Sequence, residues 1–446
     1  MSAESTISVE FDDLQAAVLH SRPSPYVGAL IVSRVDDRRD GREFLRRLLP
    51  TLLSASPGSR NGEREAWASV GISFEGLKAL GVPKESLASF PEAFQQGMAA
   101  RAEILGDIGD SAPARWETPL GHPDVHVGIV ALAPDAPRLD AVLQSARAAL
   151  RDLRGVPPIW QLNMYMRPNE RTAFGFKDGI SQPAIEGSGV PSNNPHEEPF
   201  KPGEFILGYP GEDGKPPAMP QPEVLGRNGT YAVFRKLYAR EAAFRKYVRS
   251  IAQSRAEEEL LAAKFVGRWP SGAPLVLAPE RDDPQLGEDP ARNNAFLYVA
   301  DDPRGFRCPF GAHARRMNAR DSPIQGVARR HRMIRRSTAY GPPLPDGALE
   351  DDGVDRGLLF TCIVADLERQ FEFVQKQWIN DGKFIGASDE PDPFVGPRTP
   401  NSQFTIPQKP IRRRLLDLPA FVVNRGGEYF FMPGLRALRW IADLKT

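Results

Sequence analysis

Short apolar strands alternate with amphipathic helices in both halves of the chain. This pattern limits the folds that the chain can adopt. In the first half, strands are predicted at 26–33, 67–72 and 125–132, which are rich in β-branched residues or alternate in polarity. Helices are predicted from about residue 42 and over 139–153, because their apolar residues recur every three or four positions. The first half therefore indicates a sheet with helices packed against it.

The second half repeats this order of elements. Strands are predicted at 230–238 and 357–364, and helices at 241–254, 256–266 and 367–379. The near-continuous apolar run at 357–364 is typical of a strand that is covered on both faces. No sequence identity between the halves is visible, so a duplication is inferred from the order of the elements alone.

The spacing of these elements is ferredoxin-like, and a sheet covered by helices on one side is the simplest way to bury their apolar stripes. The segment 183–230, called here the proline-rich connection, contains many Pro and Gly residues, which cannot continue a helix or a central strand. We predict a long surface connection, either functional or a plain linker. The 446 residues are accordingly divided into domains 1–222 and 223–446.

Charge and composition exclude several classes of protein. The formal net charge is zero and no basic run stands apart from acidic neighbours, so a nucleic-acid partner is not expected. Residues 1–6 lack the features of a secretory signal, and no apolar run approaches the roughly 18 residues that span a membrane. Cys308 and Cys362 are the only cysteines, too few for a disulfide framework. We predict a soluble cytoplasmic protein with no membrane partner.

Three stretches hold the candidate functional residues. One places His313 among arginines in a chain with six histidines, and neutral imidazole is a common iron ligand. Another contains Asp178 followed by Gly179, and the last contains a run of arginines that includes Arg335. Singly, each has a structural explanation: a hydrogen-bonded histidine, an Asp-Gly turn and a solvated basic face. The stretches are 307–320, 174–183 and 329–341.

Together with residues 98–107 and 421–433, these stretches resemble the dye-decolorizing peroxidase family of haem enzymes. The length of the chain and its proline-rich middle are similar to the larger, fungal-like branch. The resemblance implies an α+β fold of two ferredoxin-like domains, of the dimeric α+β barrel type, with antiparallel sheets and peripheral helices. It also implies haem b in the second domain. Because the chain has no CxxCH motif, we expect the haem to be held non-covalently.

The resemblance implies specific roles for three residues: Asp178 as the distal acid and base, Arg335 as the distal arginine and His313 as the proximal iron ligand. A carboxylate above the iron can take a proton from the peroxide oxygen that binds and return it to the oxygen that leaves. The fixed charge of Arg335 would stabilise the developing hydroxide. Ser337 stands where other branches of the family carry an asparagine, which removes one distal hydrogen-bond donor.

Other residues would complete the haem pocket under the same resemblance. Gly175 and Gly179 would let the backbone approach a flat macrocycle. Arg315 looks like a partner of a haem propionate, because a guanidinium pairs bidentately with a carboxylate. Phe430 or Phe431 is expected either in the core or in the wall of the pocket.

Three further interpretations concern the surroundings of the haem. Trp378 would relay oxidising equivalents to bulky substrates if its edge is exposed, and core packing is the alternative. The second ring nitrogen of the proximal histidine needs an acceptor, for which Asp366 is a candidate. His331 can be mistaken for the iron ligand, but the Cys-Pro-Phe context favours His313.

The resulting functional hypothesis is a haem peroxidase that reduces hydrogen peroxide and oxidises dyes or phenolic and aromatic compounds in one-electron steps. The alternative is a haem carrier or sensor on the same fold with little peroxide turnover. Asp178 with Arg335 favours the enzyme, because a carrier has no use for a distal acid and base. A haem-free hydrolase ranks far below both, since no serine or cysteine lies in an activating motif. The physiological reductant and the oligomeric state stay open.

Overall fold

The computed structural model of the protein describes residues 8–56, 66–192, 194–322, 328–387 and 389–445. Residues 1–6, from which we expect no secretory signal, lie outside these ranges. Among the described helices, none combines the length and the apolar character that crossing a membrane requires.

The strands carry most of the architecture, and they are numbered in chain order. Several coincide with the predicted ones, and the prediction at 357–364 has the same bounds as the observed strand. The strands are β1 (Val27–Ser33), β2 (Trp67–Ile72), β3 (Val127–Ala133), β4 (Pro158–Tyr165), β5 (Thr230–Ala239), β6 (Ile334–Arg335), β7 (Thr338–Tyr340), β8 (Gly357–Val364), β9 (Phe404–Ile406), β10 (Arg413–Leu415) and β11 (Val422–Met432).

The main sheet closes on itself. Neighbouring strands follow the order β5–β11–β2–β3–β1–β4–β7–β8, and β8 pairs again with β5. All of these pairs are antiparallel. The chain is thus an α+β protein with an antiparallel sheet and peripheral helices, and this fold class is confirmed.

Each half of the chain contributes four strands to the closed sheet. The halves meet at β11–β2 and at β4–β7, and each junction has a single registered residue pair, Phe431 with Ile72 and Tyr165 with Ala339. Pairing inside each half is longer, with eight registered pairs between β5 and β8. The domain boundary at 222/223 falls before β5 and stays a prediction.

The helices cover the sheet, and several of them begin at a side chain that caps their first turn. The helix predicted from residue 42 starts earlier, at Arg38, because Asp37 accepts hydrogen bonds from the N–H groups of Arg39 and Asp40. The helices are Arg38–Leu48, Phe74–Ala79, Lys84–Ala88, Glu92–Gln96, Ala102–Leu105, Ala136–Ala149, Glu223–Gly226, Glu241–Ile251, Arg255–Val266, Pro284–Glu288, Tyr298–Asp301, His313–Met317 and Leu435–Ala442, with π-helical turns at Leu367–Glu372 and Val374–Ile379.

The proline-rich connection is exposed over parts such as 213–216, but residues 203–207 are buried, so the prediction of a surface segment is wrong for its middle. It contains little regular structure in its described part, a 3₁₀ turn at Pro202–Glu204 and the helix Glu223–Gly226. Several of its apolar side chains are nevertheless buried, and Phe200, Phe205, Ile206 and Tyr209 belong to one cluster with residues near the amino terminus such as Leu14 and Val18. Proline excludes regular hydrogen bonding but not burial. The buried apolar residues are Ala184, Ile185, Phe200, Phe205, Ile206, Leu207, Tyr209 and Leu225.

A buried carboxyl in β11 makes the stability of the fold depend on pH. Glu428 Oε1 accepts hydrogen bonds from the backbone N–H groups of Met98 and Tyr429, at 3.2 and 2.8 Å. Burial raises the pKa of Glu428 from its ordinary value of 4.5 to about 7, although these two donors lower it. Folding therefore favours the protonated form, and stability is lost as the pH rises from 4.5 through 7.

We expect Glu428→Gln to raise Tm at about pH 8, because the amide keeps an acceptor for both N–H groups and removes a buried charge. That charge costs on the order of 2–3 kcal/mol. Differential scanning fluorimetry measures the difference, which should disappear near pH 4.5. Glu280→Gln is the control, since Glu280 is exposed. A lower Tm for Glu428→Gln at about pH 8 would contradict the expected cost.

Candidate active site

A cavity of about 660 Å³ lies against strands β5, β8 and β11. This volume is in the range of pockets that enclose a cofactor or drug-sized ligand. Its lining joins an apolar wall to a set of titratable groups from distant parts of the chain. The apolar wall includes Leu237, Leu358, Phe360, Phe371, Val374 and Phe394, and the polar groups include Asp178, His313, His331, Arg332, Arg335 and Arg398.

His313 begins the helix His313–Met317 and lines the cavity. Its Nδ1 lies 2.8 Å from Oδ2 of Asp392, whose residue is fully buried. This contact leaves Nε2 as the ring nitrogen that can bind a metal, and a carboxylate partner raises the basicity of such a ligand. The prediction that Asp366 is this partner is wrong. Its side chain caps the helix Leu367–Glu372, where it accepts a hydrogen bond from the N–H of Arg369.

The surroundings of Asp392 hold it as a carboxylate. Its Oδ1 accepts hydrogen bonds from the backbone N–H groups of Phe394 and Val395, at 2.9 and 3.0 Å. Burial alone would raise the pKa of Asp392, but His313, Arg316 and the backbone donor of Val395 outweigh it and hold the pKa at about 2. A fixed negative charge therefore lies behind the His313 ring.

Asp178 lies in the loop between Gly175 and Gly179, both of which have positive φ angles, 86° and 76°. The backbone N–H of Asp178 donates to the carbonyl of Glu170 at 3.1 Å. Asp178 and Gly179 line the cavity with His313, whereas Gly175 is not among the lining residues. The left-handed backbone explains both glycines, so Gly175 acts on the shape of the loop.

Arg22 is the nearest cationic partner of Asp178 and was missed by the sequence analysis. Its Nη1 and Nη2 both lie 3.4 Å from Asp178 Oδ2, and Nη1 also donates to the carbonyl of Ser337. Arg22 precedes β1 in an irregular segment, with no periodicity or motif to single it out. Only the fold brings it to Asp178, 156 positions away.

Arg335 also borders the cavity, but its hydrogen bonds are made to groups other than Asp178. Its Nη2 donates to the carbonyl of Ser181 at 2.7 Å, and its backbone N–H donates to Oε1 of Gln182 at 3.0 Å. Enclosure by protein lowers the pKa of Arg335, and the negative charge of Asp178 opposes this effect. Arg335 thus adds positive charge to the cavity without holding Asp178 directly.

His331 lines the same cavity but is fixed by other groups. Its Nδ1 donates to the carbonyl of Arg369 at 2.6 Å, and its ring stacks on Phe373 with centroids 3.9 Å apart. Burial lowers its pKa, so the ring is held neutral. No carboxylate contacts His331 among the described residues, in contrast to His313.

Arg315 does not reach the cavity, so its predicted role as a propionate partner lacks support. The residue is buried, and its Nη1 donates to Asp302 Oδ2 at 3.1 Å and to the carbonyl of Cys308 at 2.7 Å. Its guanidinium also lies over the rings of Tyr298 and Phe310, at 4.5 Å from each. Through these contacts Arg315 packs within its own segment of the chain.

Phe430 packs in the core rather than in the cavity wall. Its ring stacks on Phe234, with centroids 5.3 Å apart, and a Cβ on Gly128 would lie 2.8 Å from it. Trp378 is 1% exposed, so the surface relay predicted for an exposed edge has no basis in its position. For both residues the sequence left a place at the site and a place in the core as alternatives, because aromatic side chains look alike in a sequence in either position, and the structure agrees with the core.

Arg398 lines the cavity and carries donors without partners. Its Nη2 donates to the carbonyl of Asp392 at 2.5 Å, whereas Nε and Nη1 have no hydrogen-bond partner among the described residues. Burial lowers the pKa of Arg398 to about 10, against the attraction of Asp392. Buried donors of this kind call for an anionic partner, such as the carboxylate of a cofactor. A haem group fits these residues, since His313 offers an iron ligand and Arg398 offers donors to a propionate.

Comparison with known proteins agrees with this fit. No family model matches the chain. It is 33% identical over 411 residues to a dye-decolorizing peroxidase of Mycena epipterygia, covering 84% of this chain and 75% of that protein. A dye-decolorizing peroxidase of Mycetinis scorodonius is 32% identical over 407 residues, with 84% and 76% covered.

A solved structure extends the likeness to almost the whole fold. A dye-decolorizing peroxidase in complex with 2,6-dimethoxyphenol has a TM-score of 0.85 at 27% identity, with 97% of this chain and 100% of that chain covered. The chain therefore belongs to the dye-decolorizing peroxidase family of haem enzymes, oxidoreductases that use hydrogen peroxide.

Proposed function

We propose that the protein is a haem b peroxidase, with the haem held non-covalently, that oxidises dyes and phenolic compounds in one-electron steps. The observation that carries this proposal is the composition of one cavity. Its lining contains His313, which is hydrogen-bonded to a buried carboxylate, and Asp178, which is paired with an arginine. The first pair suits an iron ligand and the second suits proton transfer.

In this proposal His313 Nε2 is the iron ligand and Arg398 binds a propionate. The charge of Asp392 behind the imidazole strengthens the ligand, as carboxylate partners do for metal-bound histidines. Non-covalent binding is supported by the absence of a CxxCH motif from the sequence. Cys308 and Cys362 are both buried, which also argues against thioether bonds.

Bound haem would supply the redox chemistry by which peroxide is reduced. Asp178 accepts the proton from the peroxide oxygen that binds and returns it to the oxygen that leaves as water. Arg335 stabilises the negative charge that develops on the leaving oxygen. Arg22 holds the Asp178 carboxylate through its ion pair and anchors itself on the carbonyl of Ser337.

The substrates are proposed by analogy with the relatives. Their names describe dye decolorization, and 2,6-dimethoxyphenol is bound in one solved neighbour. Dyes and phenols of this kind give up one electron at a time, so two reductant molecules are consumed for each peroxide.

The assignment of the iron ligand predicts different haem contents for two histidine variants. His313→Ala should fold but retain little haem, because it loses the proposed iron bond, whereas His331→Ala should keep haem. The ratio of haem to protein, determined by absorption after conversion to the pyridine complex, measures the difference. Equal haem in the two purified variants would refute the assignment.

The proton-transfer role predicts that Asp178→Asn slows the reaction with peroxide by roughly 10²-fold or more, since general acid–base catalysis contributes at least this much. The absorption spectrum of the resting haem should hardly change. Stopped-flow absorption after mixing with peroxide measures the rate. Asp346→Asn is the matched control, because Asp346 is exposed. If Asp178→Asn reacts as fast as the parent, another group moves the proton.

Loss of Arg22 should have a smaller effect on the same step. We expect Arg22→Leu to slow the reaction with peroxide roughly tenfold, equivalent to about 1.4 kcal/mol, because Asp178 loses its ion pair and its orientation. Arg22→Lys should recover part of the rate, and so should millimolar guanidinium added to Arg22→Leu. The exposed Arg39→Leu serves as control. Parent-like rates for Arg22→Leu would show that Asp178 is oriented without it.

A further inference from the structure

A second polar cluster lines the cavity and takes no part in the chemistry described above. It consists of Asp107, Arg235 and Asn424, which are 6%, 5% and 4% exposed. Arg235 lies on β5, Asn424 lies on β11, and Asp107 follows the helix Ala102–Leu105. Burying three polar side chains on a cavity wall costs free energy unless they are hydrogen-bonded or paired.

The hydrogen bonding of this cluster is incomplete. Arg235 Nη2 donates to Asp107 Oδ1. However, Asp107 Oδ2, Arg235 Nε and Asn424 Nδ2 are buried and make no hydrogen bond of normal geometry in the described part of the chain, although Asn424 lies close enough to Asp107 to lower its pKa. Such groups are rare in folded proteins. Together they present one acceptor and two donors, a set that complements a hydroxyl group, which both donates and accepts.

The strand register connects this cluster to the apolar wall of the cavity. Arg235 is registered opposite Phe360 of β8, and Asn424 is registered opposite Leu237 of β5. Directly opposed residues in an antiparallel pair point to the same face of the sheet. Phe360 and Leu237 also line the cavity, so a ring packed on this wall can place a hydroxyl at the cluster.

The cavity reaches the surface beside the cluster. Residues 106–111 line it, and within them Ile108 is 50% exposed. The side chain of Asp110 is also 50% exposed. A small aromatic molecule that enters the cavity here would contact the apolar side chain of Ile108 first and then the buried polar groups. Asp107 Oδ2 offers an acceptor at this end, to which a hydroxyl group can donate and an ionised haem propionate cannot.

We propose that Asp107, Arg235 and Asn424 form a subsite for phenolic reductants, in which Asp107 Oδ2 accepts the hydrogen bond of the phenol hydroxyl. The inference deepens the proposed peroxidase function and rests on it. When the phenol is oxidised, its O–H bond breaks, the proton passes to Asp107, and one electron passes to the oxidised enzyme. A phenoxyl radical leaves, and Asp107 releases the proton to solvent.

The electrostatics of Asp107 agree with a proton acceptor. Burial raises its pKa, and this effect exceeds the lowering by Arg235 and Asn424. The carboxylate therefore binds a proton more readily than an exposed aspartate does.

The test compares two reductants on the haem-loaded protein. 2,6-Dimethoxyphenol must lose a proton with its electron, whereas ferrocyanide donates an electron alone. Asp107→Asn should lower kcat/KM for the phenol at least about tenfold, because it removes the proton acceptor, and should leave ferrocyanide oxidation and the reaction with peroxide close to the parent. Glu103→Gln is the control, since Glu103 is an exposed carboxyl four residues away.

A second variant covers the risk that Asp107→Asn misfolds once Arg235 loses its ion pair. Ile108→Trp changes an exposed side chain at the lip, and it should raise KM for the phenol while leaving the reaction with peroxide unchanged. Parent-like phenol oxidation in both variants, or equal loss with both reductants, would overturn the subsite. Failure of the proposed function would look different, because the parent would then lack haem or would not react with peroxide.

Discussion

Strand β5 is hydrogen-bonded along most of its length to β8 on one side and to β11 on the other. This double pairing closes the sheet, and the resulting face carries the wall on which the cavity is built. The register of the strands fixes every side chain on that wall. A strand that slipped by one residue would turn its wall residues away from the cavity, Leu237 in the case of β5 and Leu358 and Phe360 in the case of β8. The site therefore depends on the closure of the sheet as much as on its polar groups.

Two carboxylates in the site have different surroundings, and the difference suits different tasks. Asp392 is fully buried, accepts two backbone hydrogen bonds and faces His313, so its charge is fixed. Asp178 is partly exposed and contacts Arg22 at 3.4 Å, a looser arrangement that leaves it accessible from the cavity. A fixed charge suits the support of a metal ligand, and an accessible carboxylate suits proton transfer.

The sequence predicted what depends on local patterns. Strands and helices follow from apolar periodicity, and Asp178 and His313 stood out because short motifs surround them. Arg22, Asp392 and Arg398 were missed, because each acquires its role through contacts between distant segments, such as the 79 positions between His313 and Asp392. The burial of the proline-rich connection was missed for the same reason, since its apolar residues find partners only when the amino-terminal segment folds against them.

The proposed function depends on His313, supported by Asp392, holding the haem iron in the cavity that Asp178 also lines. A crystal structure of the haem-loaded protein tests it most directly. We expect Nε2 of His313 to be bonded to the iron, Nδ1 to keep its hydrogen bond to Asp392, and the Asp178 carboxylate to face the opposite side of the haem. Iron bound by His331 or by another residue, or a haem lying outside this cavity, would contradict it.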